Sequence, residues 1–294
     1  MSDIEIDRIR ALIAARPRPP ELSERRKRLD AFGEQARMPE GVIVEPVDAN
    51  GVPAEWTTAP DADRNRVLLY MHGGGYMSGS IVSHRAMVAE AGRQAAVRTL
   101  ALGYRLAPEH PFPAALQDVR TAYMYLRASK IEPRQIVVAG DSAGAGLAIA
   151  MMVSLRDAGL PLPSGAWCIS PWVDLAMTGA SMTEKAAVDP MISEPYLREL
   201  ATAYVAGANP RTPLASPLYA DLHGLPPIFI QVGSAETLVD DAVRLAGAAA
   251  NADVAVTLEV YPDMIHVWPL FFGDLSAGRR ALAAAGRFIH EMTG

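Results

Sequence analysis

The order of apolar segments along the chain constrains its fold more than any other feature. Apolar runs rich in β-forming residues occupy residues 67–71, 97–102, 136–139, 166–170, 228–232 and 254–261. Helical patterns lie between them, including residues 114–129, 143–155 and 237–251. Near-continuous apolar strands that alternate with helices are typical of a parallel sheet with helices on both faces. We therefore predict an α/β fold built on such a sheet.

Two parts of the chain depart from this alternation. In residues 4–13, isoleucine and leucine recur at helical spacing, the prolines of residues 17–20 end that helix, and a second charged helix is predicted over residues 21–37. Residues 42–56 then predict a β-hairpin, since Asn50-Gly51 suits a turn with two positive φ angles. The interval 174–227 is rich in Pro, Ala and Met and is long enough for an excursion over the sheet edge.

Composition excludes several classes of partner. The 294 residues include 27 Lys and Arg against 33 Asp and Glu, a net charge of −6, whereas nucleic acids and anionic membranes require clustered basic residues. The single cysteine, Cys168, forms no intrachain disulfide. The N-terminus lacks the pattern of a signal peptide, and no apolar stretch is long enough to span a bilayer. We expect a cytoplasmic protein without stable membrane association.

A nucleophile motif joins one predicted strand to the next helix. Residues 140–144 read Gly-Asp-Ser-Ala-Gly, directly after the strand 136–139 and at the start of the helix 143–155. A nucleophilic serine in such a strand–turn–helix context sits in a sharp, strained turn, where larger side chains two residues away would collide with it. We therefore predict that Ser142 is a nucleophile.

A glycine-rich loop follows the strand 67–71. Residues 72–76 read His-Gly-Gly-Gly-Tyr, and glycines let backbone N–H groups approach a substrate carbonyl closely. We predict an oxyanion hole formed by the N–H groups of Gly73, Gly74 and Ala143. Neither this loop nor residues 144–146 match a phosphate-binding or dinucleotide-binding pattern, so no cofactor and no metal are expected.

A serine nucleophile requires a base, and the chain has six histidines. His266 follows the last predicted strand, at the carboxyl end of the sheet, where active sites of open α/β sheets form. We predict His266 as the base. His84 follows the glycine loop and is a candidate for the pocket wall.

The residue that orients the histidine is less tightly specified. Glu236 stands just past the strand 228–232 and is the favoured acid, which gives the chain order Ser142, Glu236, His266. Asp240 and Asp241 fall one turn later, where they suit the start of a helix. Asp174 and Asp263 remain less favoured alternatives.

Together these segments resemble the hormone-sensitive-lipase-like family of α/β-hydrolases, in its bacterial esterase branch. The resemblance covers the chain from about residue 65 onward and rests on residues 72–76, 104–115, 140–144, 170–172 and the late His266. One departure is that the family most often has Asp as the acid, in an Asp-Pro-Leu segment, where this chain has Glu236-Thr237-Leu238.

The resemblance implies an α/β-hydrolase fold with a mostly parallel eight-stranded sheet. It also implies an N-terminal helical cap over residues 1–40, a catalytic domain over residues 41–294 and a second cap piece at about 175–215. The implied activity is hydrolysis of small, short-acyl carboxylic esters by a Ser-His-Glu triad through an acyl-enzyme. Relatives include acetyl hydrolases and lactone hydrolases, and homodimers are frequent among them.

The sequence leaves the ester itself open. We expect Tyr76, His84 and Trp172 to line the substrate pocket. Four alternatives remain: a lactone or acetyl-metabolite hydrolase on the same triad, a peptidase or amidase, an interfacial lipase that uses residues 4–13 as a lid, and a non-catalytic ligand receptor. Receptors on this frame lack the catalytic histidine, which His266 supplies here.

Overall fold

The computed structural model describes residues 4–294. Its strands are β1 (Ile43–Asp48), β2 (Pro53–Thr58), β3 (Asp63–Met71), β4 (Val97–Leu102), β5 (Ile136–Asp141), β6 (Gly165–Ile169), β7 (Ile228–Gly233) and β8 (Val256–Tyr261). Its helices are α1 (Ile4–Ala14), α2 (Leu22–Gln35), α3 (Ile81–Ala95), α4 (Ala114–Ala128), α5 (Ala143–Asp157), α6 (Ser181–Glu184), α7 (Glu194–Val205), α8 (Val239–Asn251) and α9 (Ser276–Thr293). Short 3₁₀ turns cover Pro133–Gln135, Pro217–Tyr219 and Trp268–Phe271.

The strands form one eight-stranded sheet in the order β1-β2-β4-β3-β5-β6-β7-β8. Strands β1 and β2 pair antiparallel with each other, β2 pairs antiparallel with β4, and every other pair is parallel. The hairpin turn has φ of 60° at Asn50 and 91° at Gly51, as the sequence predicts. The predicted mostly parallel, eight-stranded α/β sheet is therefore confirmed.

The two faces of the sheet bury different helices. Alternate side chains of β3 divide between them: Leu69 lies in the apolar cluster that includes α4, α5 and α8, whereas Leu68 lies in the cluster that includes α3 and α9. Residues 143–155 of α5 are all buried, which explains why this helix reads as an unbroken apolar run. Because the strands from β3 to β8 are parallel, their carboxyl ends and the loops that follow them lie together at one end of the sheet, here called its carboxyl end.

The N-terminal segment packs against loops at the carboxyl end of the sheet. Ile6 and Ile9 of α1 are buried in a third apolar cluster, together with Ile265 and Trp268 from the segment after β8. Arg26 of α2 donates hydrogen bonds to the carbonyls of Met77 (2.8 Å) and Ala107 (3.0 Å). The first three residues of the predicted N-terminal cap lie outside the described residues. Among residues 4–294, no helix is long and apolar enough to cross a membrane.

Candidate active site

Ser142 occupies the turn between β5 and α5 in a strained conformation. Its φ is 53° and its ψ is −121°, a backbone conformation that costs free energy for any residue with a Cβ. Backbone hydrogen bonds hold it there: its N–H donates to Ile169 O (2.9 Å), and its carbonyl accepts from Trp172 N (3.0 Å). The turn places Ser142 at the carboxyl end of the sheet, directly after β5.

The two glycines of the motif provide the space that this turn needs. A Cβ at Gly144 would lie 2.0 Å from Met71 O, and one at Gly140 would lie 2.4 Å from the carbonyl carbon of Gly144. Both distances are far below van der Waals contact, and the opposing atoms are backbone that cannot move aside. The glycines are therefore required by close approach of the α5 start to β3 and β5.

His266 and Glu236 meet at the end of the neighbouring strands. His266 Nδ1 donates to Glu236 Oε2 at 2.7 Å, and the side chains of both residues are almost completely buried. The second carboxylate oxygen, Oε1, accepts hydrogen bonds from Gly233 N (2.6 Å) and Ser170 Oγ (2.9 Å). Glu236 is thus fully hydrogen-bonded and holds the imidazole in one orientation.

The other acids considered from the sequence have different partners. Asp174 is paired with Arg244 (3.0 Å), Asp240 accepts from Ser181 N (2.9 Å), and Asp241 accepts from the amides of residues 173 and 174. Asp263 is exposed. The geometry therefore favours Glu236 as the partner of His266.

Burial and hydrogen bonding act in opposite directions on His266. Burial disfavours the charged imidazolium and lowers the pKa, whereas the hydrogen bond and the negative charge of Glu236 raise it. The balance places the pKa of His266 above its ordinary value of 6.5. A raised pKa makes the neutral imidazole a stronger proton acceptor.

Ser170 is a residue at this site that the sequence does not identify. It is fully buried, with Oγ donating to Glu236 Oε1 and accepting from Val267 N (3.0 Å), the residue after His266. One hydroxyl therefore connects the acid to the loop that carries the base.

We expect Ser170→Ala to lower kcat about tenfold, because Glu236 and the His266 loop lose their common restraint. It should also cost about 1–3 kcal/mol of unfolding free energy, since the buried Val267 N–H loses its acceptor. Steady-state kinetics and urea unfolding measure the two effects, and Ser154→Ala, which removes a buried hydroxyl away from the site, is the control. An unchanged kcat in Ser170→Ala would show that Ser170 does not position the pair.

The structure differs from the sequence-based expectation at Gly73. The Gly73 N–H donates to the Asp141 carboxylate at 2.9 Å, so it is not available to a substrate. Gly74 and Gly75 instead line the cavity that contains Ser142, and no hydrogen bond among residues 4–294 uses the N–H of either one. The available donors are therefore displaced by one residue along the loop.

Asp141 organises the inner end of the glycine loop. Its carboxylate accepts from Tyr70 Oη (2.8 Å) as well as from Gly73 N, and it lies 3.2 Å from His84 Nε2. Burial raises the pKa of Asp141, but the interactions with His84 and Tyr70 outweigh it and the net shift is downward. His72, stacked on Tyr104 with ring centroids 4.4 Å apart, is uncharged because burial lowers its pKa to about 4.

A cavity of about 290 Å³ connects this site to the surface. Its wall includes Ser142, His266 and His84, so the expectation for His84 agrees with the structure. Tyr76 and Trp172 are fully buried and are not among the lining residues; the Tyr76 ring is stacked on Tyr204, with centroids 3.7 Å apart. The expectation that these two residues line the pocket therefore does not agree with the structure, because aromatic packing behind the wall accounts for both.

The outer wall of the cavity comes from two separate parts of the chain. One is the segment 13–29, which runs from the end of α1 into the first half of α2. The other is residues 190–200, which lead into and include most of α7. Among residues 4–294, no three His, Cys, Asp or Glu side chains converge so that they could hold a metal ion.

Comparison with known proteins adds independent information about this site. A family profile described as the alpha/beta hydrolase fold matches residues 68–270. An acetyl-hydrolase of Streptomyces hygroscopicus is 47% identical over 265 residues, which are 90% of this chain and 87% of that protein. An esterase of Acinetobacter venetianus is 34% identical over 252 residues, 85% of this chain and 83% of that protein.

The solved structures include a crystal structure of an esterase from the bacterial hormone-sensitive lipase family. It is 44% identical, covers 100% of both chains and superposes with a TM-score of 0.97. Sequence, fold and site point the same way: the chain belongs to the hormone-sensitive-lipase-like family of α/β-hydrolases and is a carboxylic ester hydrolase.

Proposed function

We propose that the chain hydrolyses small, short-acyl carboxylic esters with Ser142 as nucleophile, His266 as base and Glu236 as the orienting acid. The observation that carries this proposal is the 2.7 Å hydrogen bond between His266 and Glu236, in a cavity whose wall also contains Ser142 in its strained turn. Nucleophile, base and acid in this relation are what acyl transfer to a serine requires.

In the first half-reaction, Ser142 Oγ attacks the ester carbonyl while its proton passes to His266 Nε2. The imidazolium is stabilised by the Glu236 carboxylate at Nδ1. Collapse of the tetrahedral intermediate breaks the bond to the leaving alcohol, which receives the proton from His266. Water then attacks the acyl-enzyme by the same steps, releasing the acid and restoring Ser142.

The oxyanion of each tetrahedral intermediate would be held by backbone N–H groups. Gly74 and Gly75 face the cavity, and Ala143 is the first residue of α5, where the helix leaves its N–H without an internal partner. A Cβ at Gly74, whose φ is 110°, would lie 2.2 Å from Ser78 O, so the loop requires glycine there. Gly73 contributes indirectly, because its bond to Asp141 fixes the loop.

The size of the cavity supports the preference for short acyl groups. About 290 Å³ is at the low end of the range for small-molecule sites. We propose that residues 1–40 and about 175–215 act as the two pieces of a cap over this cavity, with residues 41–294 as the catalytic domain. The name of the Streptomyces hygroscopicus relative keeps an acetylated metabolite open as substrate, and a lactone would use the same groups.

The packing of α1 favours a short-acyl esterase over an interfacial lipase. The two residues of its apolar stripe that lie deepest, Ile6 (0% exposed) and Ile9 (4% exposed), are already buried against the segment after β8. A lid would have to expose these side chains again.

The cytoplasmic location and the homodimer remain expectations. Strand β8 lies at the lateral edge of the sheet and is the strand through which a dimer would form.

The proposal is tested with p-nitrophenyl esters from acetyl to palmitoyl. We expect kcat/KM to be highest for acyl chains of about two to six carbons, since longer chains exceed the cavity. A maximum at palmitoyl would contradict the short-acyl assignment and would favour an interfacial lipase with α1 as its lid. No turnover of any member would contradict the esterase mechanism for simple esters.

The pH dependence follows from the His266–Glu236 pair. Because His266 must be neutral to accept the Ser142 proton, we expect kcat/KM to fall tenfold per pH unit on the acid side. The midpoint of this limb should lie above 6.5, since Glu236 raises the pKa of His266. A pH profile with an uncharged p-nitrophenyl ester measures it, and a midpoint well below 6.5 would contradict the assignment of His266.

A further inference from the structure

The charged residues of the cavity are concentrated at its outer end. Four arginines line this end: Arg16 and Arg18, between α1 and α2, and Arg25 and Arg28, in α2. We infer that the ester hydrolysed here carries an anionic group, a carboxylate or a phosphoryl group, which these guanidinium groups bind while the ester bond lies at Ser142. This inference rests on the proposed function and names its substrate class.

Within the described residues 4–294, one of the four arginines, Arg25, forms an ion pair with a carboxylate. Arg25 Nη1 lies 2.7 Å from Glu199 Oε1. Arg18 is stacked on the Tyr196 ring, with its guanidinium carbon 3.3 Å from the ring centroid, and donates to the carbonyl of Met191. Arg28 donates to the backbone carbonyls of residues 16 and 17. Hydrogen bonds to carbonyls and contact with a ring leave the full positive charge of Arg18 and Arg28 in place.

Arg16 is the most available of the four. It is exposed, and none of the hydrogen bonds, ion pairs or ring contacts among residues 4–294 uses its side chain. Its guanidinium therefore keeps all five N–H donors for a ligand, in the fork geometry that suits carboxylate and phosphoryl oxygens. A role in holding the loop explains the carbonyl contacts of Arg18, Arg25 and Arg28, but it does not explain Arg16.

The carboxylates in and beside the cavity offset only part of the charge of this cluster. Among residues 4–294, the wall contains one carboxylate, Asp141, which is buried at the inner end and is paired with His84. Glu199 and Asp189 act on Arg18 from outside the wall, so two negative charges face four guanidinium groups. The chain as a whole carries a net charge of −6, so the positive mouth is opposite in sign to the rest of the molecule. In a partly enclosed site with apolar walls, such a cluster raises the affinity for an anion.

The position of the charges also determines where on the substrate the anion must be. Ser142 and His266 are 6% and 3% exposed, whereas the Arg16 and Arg18 side chains reach the solvent-exposed end of the same cavity. The anion therefore belongs at the end of the substrate remote from the reacting carbonyl. The wall between the two ends is mainly apolar, with Ile13, Met191, Leu197 and Leu200 among its residues.

Matched pairs of substrates test this inference. For an anion on the acyl side, mono-p-nitrophenyl glutarate is compared with p-nitrophenyl pentanoate. For an anion on the alcohol side, 4-acetoxybenzoate and 4-acetoxyphenyl phosphate are each compared with 4-acetoxybenzamide, which separates a carboxylate from a phosphoryl group. The measured quantity is the ratio of kcat/KM for the anionic ester to kcat/KM for its neutral partner.

In at least one pair, we expect Arg16→Gln to lower this ratio about threefold and Arg16→Gln/Arg18→Gln to lower it about tenfold. Arg16→Lys, which retains the charge, should keep this ratio close to its wild-type value. Lys27→Gln is the matched control, because it removes the same charge from exposed α2 outside the cavity and should leave the ratio unchanged. The wild-type ratio should also fall between 20 mM and 500 mM salt.

Ratios that respond neither to these variants nor to salt in any pair would overturn the inference. Equal losses in Arg16→Gln and Lys27→Gln would also overturn it, since they would reveal only a long-range effect of net charge. Ser142-dependent hydrolysis of the neutral esters is read in the same assays. Its presence alongside unresponsive ratios would refute the anionic substrate alone, whereas its absence would refute the proposed function.

Discussion

Replacement of Ser142 by alanine is expected to lower kcat/KM for p-nitrophenyl acetate by about 10⁴-fold or more, to a level set by binding and the oxyanion donors alone. The reason is that no acyl-enzyme can form without Oγ, and p-nitrophenolate would have to be displaced by water that the site does not position for direct attack. Absorbance of p-nitrophenolate measures the loss, with the concentrations of wild type and variant determined from their ultraviolet absorbance.

Folding should be nearly unchanged in this variant. The turn at residue 142 is held by the backbone bonds to Ile169 and Trp172, which alanine retains, and the free energy of unfolding should stay within about 1 kcal/mol. Ser154→Ala, on the same helix α5 and also buried, is the matched control and should keep wild-type activity. Turnover in Ser142→Ala close to that of the wild type and of the control would mean that the nucleophile is elsewhere.

The second large effect is expected for Glu236→Gln. The amide oxygen of glutamine would take over the bonds from Gly233 N and Ser170 Oγ, which both require an acceptor. Its NH₂ group would then face His266 Nδ1, which must become an acceptor, so that Nε2 carries the proton and cannot receive one from Ser142. We expect kcat to fall about 10³–10⁴-fold, as for the corresponding tautomer error in serine proteases.

The same substitution should change the pH profile. The charge of Glu236 raises the pKa of His266, so in Glu236→Gln the residual activity should titrate at lower pH than in the wild type. Glu236→Asp keeps the charge with a shorter side chain and should retain more activity than Glu236→Gln. Asp263→Asn is the control at the nearest sequence alternative; a loss there as large as in Glu236→Gln would contradict Glu236 as the acid.

The sheet is predictable from the sequence because its central strands are buried on both faces. Val67, Val137 and Ile230 each stand in a continuous apolar run, and the structure buries all three completely. The β1–β2 hairpin is equally well specified, since Asn50-Gly51 is one of few pairs that adopt two positive φ angles without strain. These are local requirements, which a sequence states directly.

The helix α3 illustrates the limit of periodicity. It buries polar and small residues as well as apolar ones, among them His84, Glu90 and Gly92, so its pattern lacks the contrast of an amphipathic helix. Gly92 is needed because a Cβ there would lie 2.4 Å from a methyl of Thr99 on β4. Such a contact depends on tertiary packing and leaves no periodic signal.

Within the site, the sequence indicates residue types better than their individual contacts. The expected juxtaposition of Glu236 and His266 appears in the structure, because both follow neighbouring parallel strands, β7 and β8. Three consecutive glycines, by contrast, do not reveal which N–H is free, and the bond from Gly73 to Asp141 depends on side chains from β3, β5 and α3. Ser170 is missed for the same reason, since its role lies in one bridging hydroxyl.

The most direct test of the central claim is to locate the covalent intermediate. Diethyl p-nitrophenyl phosphate transfers its diethylphosphoryl group to an activated serine, which then loses this group only slowly. After brief reaction with this reagent, the protein is digested with trypsin and its peptides are sequenced by tandem mass spectrometry. We predict one diethylphosphoryl group per chain, on Ser142 in the peptide 135–156, appearing in step with loss of esterase activity and much more slowly in His266→Ala. Loss of activity with Ser142 unmodified, or stoichiometric modification of another residue, would contradict the account.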